Sequence, residues 1–278
     1  MKRCALYEKA LKLLYKEYED VFEIVKSSSY HRAFAHEKIK HSMQVLGAGN
    51  GILKHEKYFQ NKPSDFVETA RVAILLHDVY RFKEILGWFE NNTKIDHGEK
   101  GAEFLSQTDD FSNVLITMPI KHHGHMIEKM YEDEVYQKLD DKTKDEVKHI
   151  AFAVRDADKI ANWNLLKNEW EKMKEVWLPY PNDHSQAQAE INQELFGWLM
   201  RSEVAPNNLR RSNADVAVSI ICWLFDINYG YSIDYCKKLH LFENWCVILS
   251  KFGVETQKID EIFCVMKDYV FKTFGVVI

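Results

Sequence analysis

Apolar residues recur at intervals of three and four along almost the whole chain, and no run alternates with period two for long enough to build a sheet. The pattern therefore predicts an all-α fold. The first helix is expected over Tyr7 to Val25, with Leu11, Leu14, Tyr15, Tyr18 and Phe22 on its apolar face, and Ser27-Ser28-Ser29 ends it. A second, over about Ala33 to Leu53, aligns Glu37, His41, Val45 and Ala48 on one stripe, because residues three or four apart share a face. Pro63-Ser64-Asp65 opens a third, with Asp65 expected as the cap and Glu68 completing a capping box, and its far end delivers His77 and Asp78.

Asp96 followed by Glu99 is a second capping-box signature, which puts His97 in the first turn of a helix reaching about Leu105. Pro119 is expected to begin or kink the next helical segment, with His122, His123 and His125 close behind. The stretch Asp145 to Trp170 reads as one long helix carrying Arg155, Asp156, Asp158, Lys159 and Asn162. Pro179-Tyr180-Pro181-Asn182-Asp183 is the clearest break, and Ser185 to Ile278 is helical and aromatic-rich. The expected organisation is a helical bundle over 1–178, its motifs within 30–170, and a C-terminal helical extension over 179–278 packed on the same core.

Composition narrows the class. With 46% hydrophobic residues and only 11 Gly and 5 Pro in 278, the chain has a substantial core and is neither disordered nor repetitive. A net charge of −5 argues against an extended nucleic-acid or acidic-membrane surface, while leaving room for a local cationic pocket. Cys4, Cys222, Cys236, Cys246 and Cys264 form no C-x-x-C pair and read as reduced core thiols of a cytoplasmic protein. The N-terminus lacks the apolar stretch of a signal peptide. The longest apolar run, Val216 to Phe225, is about half of the roughly 20 residues a membrane span needs, so no membrane crossing is expected.

The histidines carry the chemistry. Several stand beside a carboxylate at an expected helix end, and imidazole with carboxylate is the donor set for Mn, Fe, Co, Ni or Zn rather than for Mg. His77-Asp78 is the natural centre, since a carboxylate has two oxygens with which to bridge two metals. Taken alone, His41 on an otherwise apolar stripe would be a core histidine; only the joint pattern makes it a ligand.

That joint pattern resembles the HD-domain superfamily of metal-dependent phosphohydrolases. It is carried by His41 in KHSMQVLGAG, His77-Asp78 in AILLHDVYRF, His97 in IDHGEKGAEFL, His123 in IKHHGH and Asp158 in RDADKIANW, in the family's order. The resemblance implies an HD-like bundle holding one or two divalent transition-metal ions. In it His41, His77, Asp78 and Asp158 hold one metal, and His97 and His123 complete a second site bridged by Asp78, with His122 the substitute for His123. It implies hydrolysis of a phosphomonoester or phosphodiester of a small molecule, nucleotides included, by metal-activated hydroxide.

Asp156 lies about 200° around the helix from Asp158 and is expected to point elsewhere. Arg81, Lys121 and Lys159 could add positive charge for phosphate, Arg being favoured for its planar fork, and Asn162 could touch substrate. Glu37 could ligate a third metal or pair with a nearby Lys; Trp88 and Trp163 could stack on a base or fill the core. Two other readings remain open: a di-iron oxygenase of the same ligand arrangement, and a non-catalytic nucleotide sensor. The C-terminal portion could cover the pocket mouth or form a homodimer surface.

Overall fold

A computed structural model describes residues 5–91, 96–177 and 189–278, with backbone alone at 91 and 169–177. Cys4, the break at Pro179 to Asp183 and His184 lie outside the described residues. Every regular element among the described residues is helical, and none of those helices is long and apolar enough to cross a membrane. The chain divides into two compact units, Met1–Ala161 and Asn162–Ile278, so the division falls inside one helix.

The first unit contains α1 (Ala5–Ile24), α2 (Ser29–His55), α3 (Lys57–Gln60), α4 (Ser64–Leu76), α5 (Arg81–Asn91), α6 (His97–Ser106), α7 (Val114–His122), α8 (Ile127–Tyr131), α9 (Glu134–Gln137) and the first part of α10 (Asp141–Trp177). Helix α4 packs against α1, α2 and α7, α2 also packs against α5, and α6 lies along α7. Two glycines set the close approaches that matter. A Cβ at Gly49 would stand 2.7 Å from Ile74 Cγ2, and one at Gly98 2.9 Å from the Lys121 carbonyl oxygen. Absence of those side chains lets α2 close on α4 and α6 close on α7.

Several local expectations need correction. Of the expected face of α1, Leu14 is buried and Leu11, Tyr18 and Phe22 are half-buried, but Tyr15 is exposed and the other buried positions are Ala10, Glu17 and Val21. Asp65 does not cap α4: the helix begins at Ser64 after Pro63, and Glu68 Oε1 accepts from the backbone N–H of Tyr7. Pro119 lies inside α7, which starts five residues earlier at Val114 behind the Asn113 cap. It neither begins the helix nor ends it, and as the sixth helical residue it leaves the Leu115 carbonyl without its i+4 backbone donor. The Asp96 cap stands as expected, its Oδ1 accepting from the N–H groups of Gly98 and Glu99.

The second unit holds the end of α10, α11 (Gln193–Met200), α12 (Asn213–Ile221), α13 (Gly230–Lys238), α14 (Leu241–Lys251) and α15 (Thr256–Phe274), with two short 3-10 turns. Its core includes Trp163, 1% exposed, edge-on to Trp245 at 6.0 Å and to Phe242 at 6.2 Å. Trp163 is thus a core side chain with no face left for a base. Cys222 and Cys236 are buried here, but Cys246 is half-buried and Cys264 exposed, so only part of the thiol set is core.

Candidate metal centre

Five helix segments of the first unit converge on one buried cluster. His41 comes from the middle of α2, His77 and Asp78 from the end of α4, His97 from the first turn of α6, His123 from the end of α7, and Asp158 from α10. The helix ends are informative, because His77 and His123 are built alike. Each caps its helix and donates its Nδ1–H to the carbonyl three residues back, His77 to Ile74 at 2.9 Å and His123 to Ile120 at 2.7 Å. A carbonyl can only accept, so the proton is on Nδ1 and the Nε2 lone pair faces the cluster.

Two groups of donor atoms result, His41, His77 and Asp158 in one and Asp78, His97 and His123 in the other, each within 4.8 Å of one another. His41 Nε2 lies 3.0 Å from Asp158 Oδ1, and His77 Nε2 lies 3.8 Å from that same oxygen. Asp78 links the groups: its Oδ2 is 4.0 Å from His41 Nε2 and 3.8 Å from His77 Nε2, while its Oδ1 is 3.3 Å from His97 Nε2 and 3.4 Å from His123 Nε2. Donors sharing one ion at about 2.1 Å stand about 3.0 Å apart when cis and about 4.2 Å when trans, which is the range of these separations. His77 Nε2 is buried without a hydrogen-bond partner, as an atom reserved for an ion would be. These residues therefore fit one or two divalent ions.

Electrostatics favour the ligand forms of four of the six groups in the absence of an ion, while His123, which burial would lower, is raised by its hydrogen bond to Asp78. Burial pushes His77 down to about 4 and His97 down to about 3, so both imidazoles are neutral at ordinary pH. Burial alone would raise Asp78, yet Arg81, His77 and Lys38 together hold it well below the usual carboxylate range. Asp158 is likewise held down against its burial, chiefly by the bond to His41.

Two cations face the cluster, and one of them escaped the sequence reading. Arg81 lies with Nε 3.5 Å from Asp78 Oδ1 and is also paired to Glu84 at 2.5 Å. Lys38 Nζ stands 3.7 Å from Asp78 Oδ2. Lys38 precedes His41 by three residues, so helical spacing from a motif residue was the available signal for it, and the pairing of Arg81 with Glu84 follows the same spacing. Lys121 and His122 instead share Asp133, at 2.7 Å and 3.0 Å from its Oδ2, on the rim of a separate polar cavity of about 290 Å³. His122 belongs to neither donor group. Glu37 stands 3.7 Å from Lys40 and belongs to neither group. Lys159 is buried beside Asp158, Asn162 opens the second unit, and Asp156 is fully buried outside both groups.

Asp133 holds Lys121 and His122 as a depressed carboxylate: burial opposes ionisation, but those two partners bring it to about 2. Its contribution to stability is present above about pH 4 and shrinks as pH falls toward about 2, because only the unfolded chain takes up the proton in that interval. Asp133→Asn is expected to lower unfolding free energy by about 1–2 kcal/mol at pH 7, with a smaller deficit at pH 3, measured by denaturant titration.

Arg155, one turn before Asp158, is buried and ties α10 to the end of α7. Its Nη1 donates to the carbonyls of His122 at 3.2 Å and His123 at 3.1 Å and reaches that of His125. These carbonyls lie at and just beyond the end of α7, that of His122 being shared with the N–H of His125, so the guanidinium fixes the backbone from which His123 projects. Arg155→Lys keeps the charge and loses the fork, and is expected to weaken metal affinity about 10–100-fold with helix content unchanged. Equal affinities in a chelator competition assay would remove Arg155 from this role.

Compared with known proteins, residues 39–163 match the family described as HD domain. Searches among curated proteins and among solved structures find no match. The matched segment runs from two residues before His41 to five beyond Asp158 and so contains all six clustered residues.

Proposed function

We propose, from the match of residues 39–163 to the HD-domain family, a superfamily of metal-dependent phosphohydrolase type, that this chain hydrolyses a phosphomonoester or phosphodiester of a small molecule. The observation that carries the reading is the division of Asp78, one oxygen toward each donor group, with Lys38 and Arg81 beside it. His41, His77, Asp78 and Asp158 would hold one divalent ion, and His97 and His123 a second shared through Asp78. Such ions, when bound, supply Lewis acidity toward phosphoryl oxygens and lower the pKa of water toward neutrality.

The chain's own residues do the rest. The neutral imidazoles leave the ions' charge uncancelled, so two divalent ions against Asp78 and Asp158 would present about two net positive charges to a phosphoester anion. Lys38 and Arg81 orient its non-bridging oxygens, Arg81 with a fork whose direction Glu84 fixes. Lys159 and Asn162 are assigned to substrate contact by their places after Asp158 on α10. A cytoplasmic setting, one or two ions of Mn, Fe, Co, Ni or Zn, and a second copy of the chain as partner complete the reading.

The test uses the full chain stripped by chelator and reloaded singly with Mn, Co, Ni, Zn, Fe or Mg, with phosphate release followed over a panel of phosphomonoesters and phosphodiesters. Metal-dependent release is the expected result. Oxygen consumption by the iron-loaded protein without phosphate release would make it an oxygenase instead, and nucleotide binding with neither activity would make it a sensor.

A further inference from the structure

An imidazole that offers Nε2 to an ion carries its proton on Nδ1, and that proton needs an acceptor to fix the ring. His77 and His123, at the ends of their helices, find one in the carbonyl three residues back. His97 cannot use this device. It is the first residue of α6, so no carbonyl of its own helix lies behind it, and its Nδ1 faces Glu84 instead, with Oε2 3.9 Å away. His97 Nε2 lies on the side of the donor group, 3.3 Å from Asp78 Oδ1. Glu84 itself is a sealed carboxylate, 1% exposed, whose Oε2 is paired to Arg81 at 2.5 Å and whose Oε1 is buried without a hydrogen-bond partner. An acceptor left unpaired in the interior is costly, so a second donor is owed to this side chain.

We propose that Glu84 is a positioning residue of the metal centre: one carboxylate oxygen holds Arg81 and the other accepts the Nδ1–H of His97, which keeps the Nε2 lone pair of His97 directed at the ion it shares with Asp78 and His123. The inference rests on the metal-centre reading of the preceding subsection and adds a residue that contacts neither ion nor substrate. The last torsion of a glutamate is broad, so a small swing of the carboxylate closes the 3.9 Å gap at little cost. An ionised carboxylate serves both partners because each of its oxygens only accepts. An amide cannot. In Glu84→Gln the oxygen goes to Arg81, which has only donors, and the NH2 group is left facing His97 Nδ1. Two N–H groups then oppose each other unless the imidazole proton moves to Nε2, the atom an ion needs.

The test loads the full chain, isotope-labelled at the histidine nitrogens, with diamagnetic Zn and follows the His97 ring by NMR, its signals identified as those lost in His97→Asn. In the parent the expected result is a proton on Nδ1 that is protected from exchange with water. In Glu84→Gln that protection is lost, and Zn competed away by a chelator leaves the His97 and His123 group about 10–100-fold more readily, with the His41 and His77 group much less affected. An unfolding midpoint near that of the parent shows that the variant is folded. The parent spectrum needs no variant: a His97 Nδ1–H in free exchange, or a proton found on Nε2, would overturn the assignment. Equal Zn affinities in parent and variant would overturn it as well. A protected Nδ1–H and a weakened second ion in a protein that releases no phosphate from any ester would uphold Glu84 and remove the phosphohydrolase reading. Phosphate release with the His97 ring unaltered in Glu84→Gln would do the reverse.

Discussion

Asp78→Ala is expected to remove both metal ions and to lower phosphoester turnover by at least about a thousandfold, with helix content close to that of the parent. The two oxygens of Asp78 face different donor groups, at 3.8–4.0 Å toward His77 and His41 and at 3.3–3.4 Å toward His97 and His123. No other residue in the cluster faces both ways. Its removal takes the shared carboxylate from both groups and leaves Lys38 and Arg81 beside the cluster without their anionic partner, which raises the cost of admitting a cation. The helix is not at risk, because Asp78 follows the end of α4 and the segment is anchored by the wholly buried run Val72 to Leu76. Elemental analysis of the purified variant decides the matter. Retention of two ions would remove Asp78 from the centre, and loss of one would make it a ligand of a single site.

The parts of this centre that were legible in the sequence are those fixed by local spacing. An Asp three residues before a Glu placed His97 in a first turn, and the apolar run ending at Leu76 placed His77 and Asp78 at a helix end. The choice between His122 and His123 was legible only as a resemblance, and the structure supplies its physical basis. His123 is the helix cap whose ring can turn back to the Ile120 carbonyl, while His122 is still within α7 and faces Asp133.

What the sequence concealed depends on distant partners. Asp65 and Glu68 satisfy a capping-box pattern, but Glu68 is drawn to the backbone of Tyr7 across 61 positions of sequence, and no local rule contains that contact. The buried face of α1 was read only in part because aromatic rings were counted as buried, whereas small residues such as Ala10 make the closest packing. Trp163 and Trp88 are indistinguishable as sequence; tertiary packing seals one within the second unit and leaves the other half-exposed beside Phe34. Lys38 was passed over because a lysine on a helix is ordinarily solvated, and only the arrival of Asp78 from another helix makes it part of the site.

The second large effect concerns the two carboxylates of α10. Asp158→Asn is expected to lower turnover by at least about a thousandfold and to weaken metal binding at the His41 and His77 group, leaving the His97 and His123 group the better occupied of the two. The amide keeps the side chain's shape, so the 3.0 Å approach to His41 need not change; what is lost is the negative charge and the strong oxygen donor. Asp156 is two positions away, fully buried, and outside both donor groups. It is fully buried and takes part in interactions of its own, so Asp156→Asn should act on the fold. The expected signature is a lower unfolding midpoint, with turnover per folded molecule reduced by no more than about tenfold, near 1.4 kcal/mol. Measuring metal content, midpoint and turnover on both variants separates the roles. A greater loss of metal in Asp156→Asn than in Asp158→Asn would mean that α10 presents the other carboxylate to the ions.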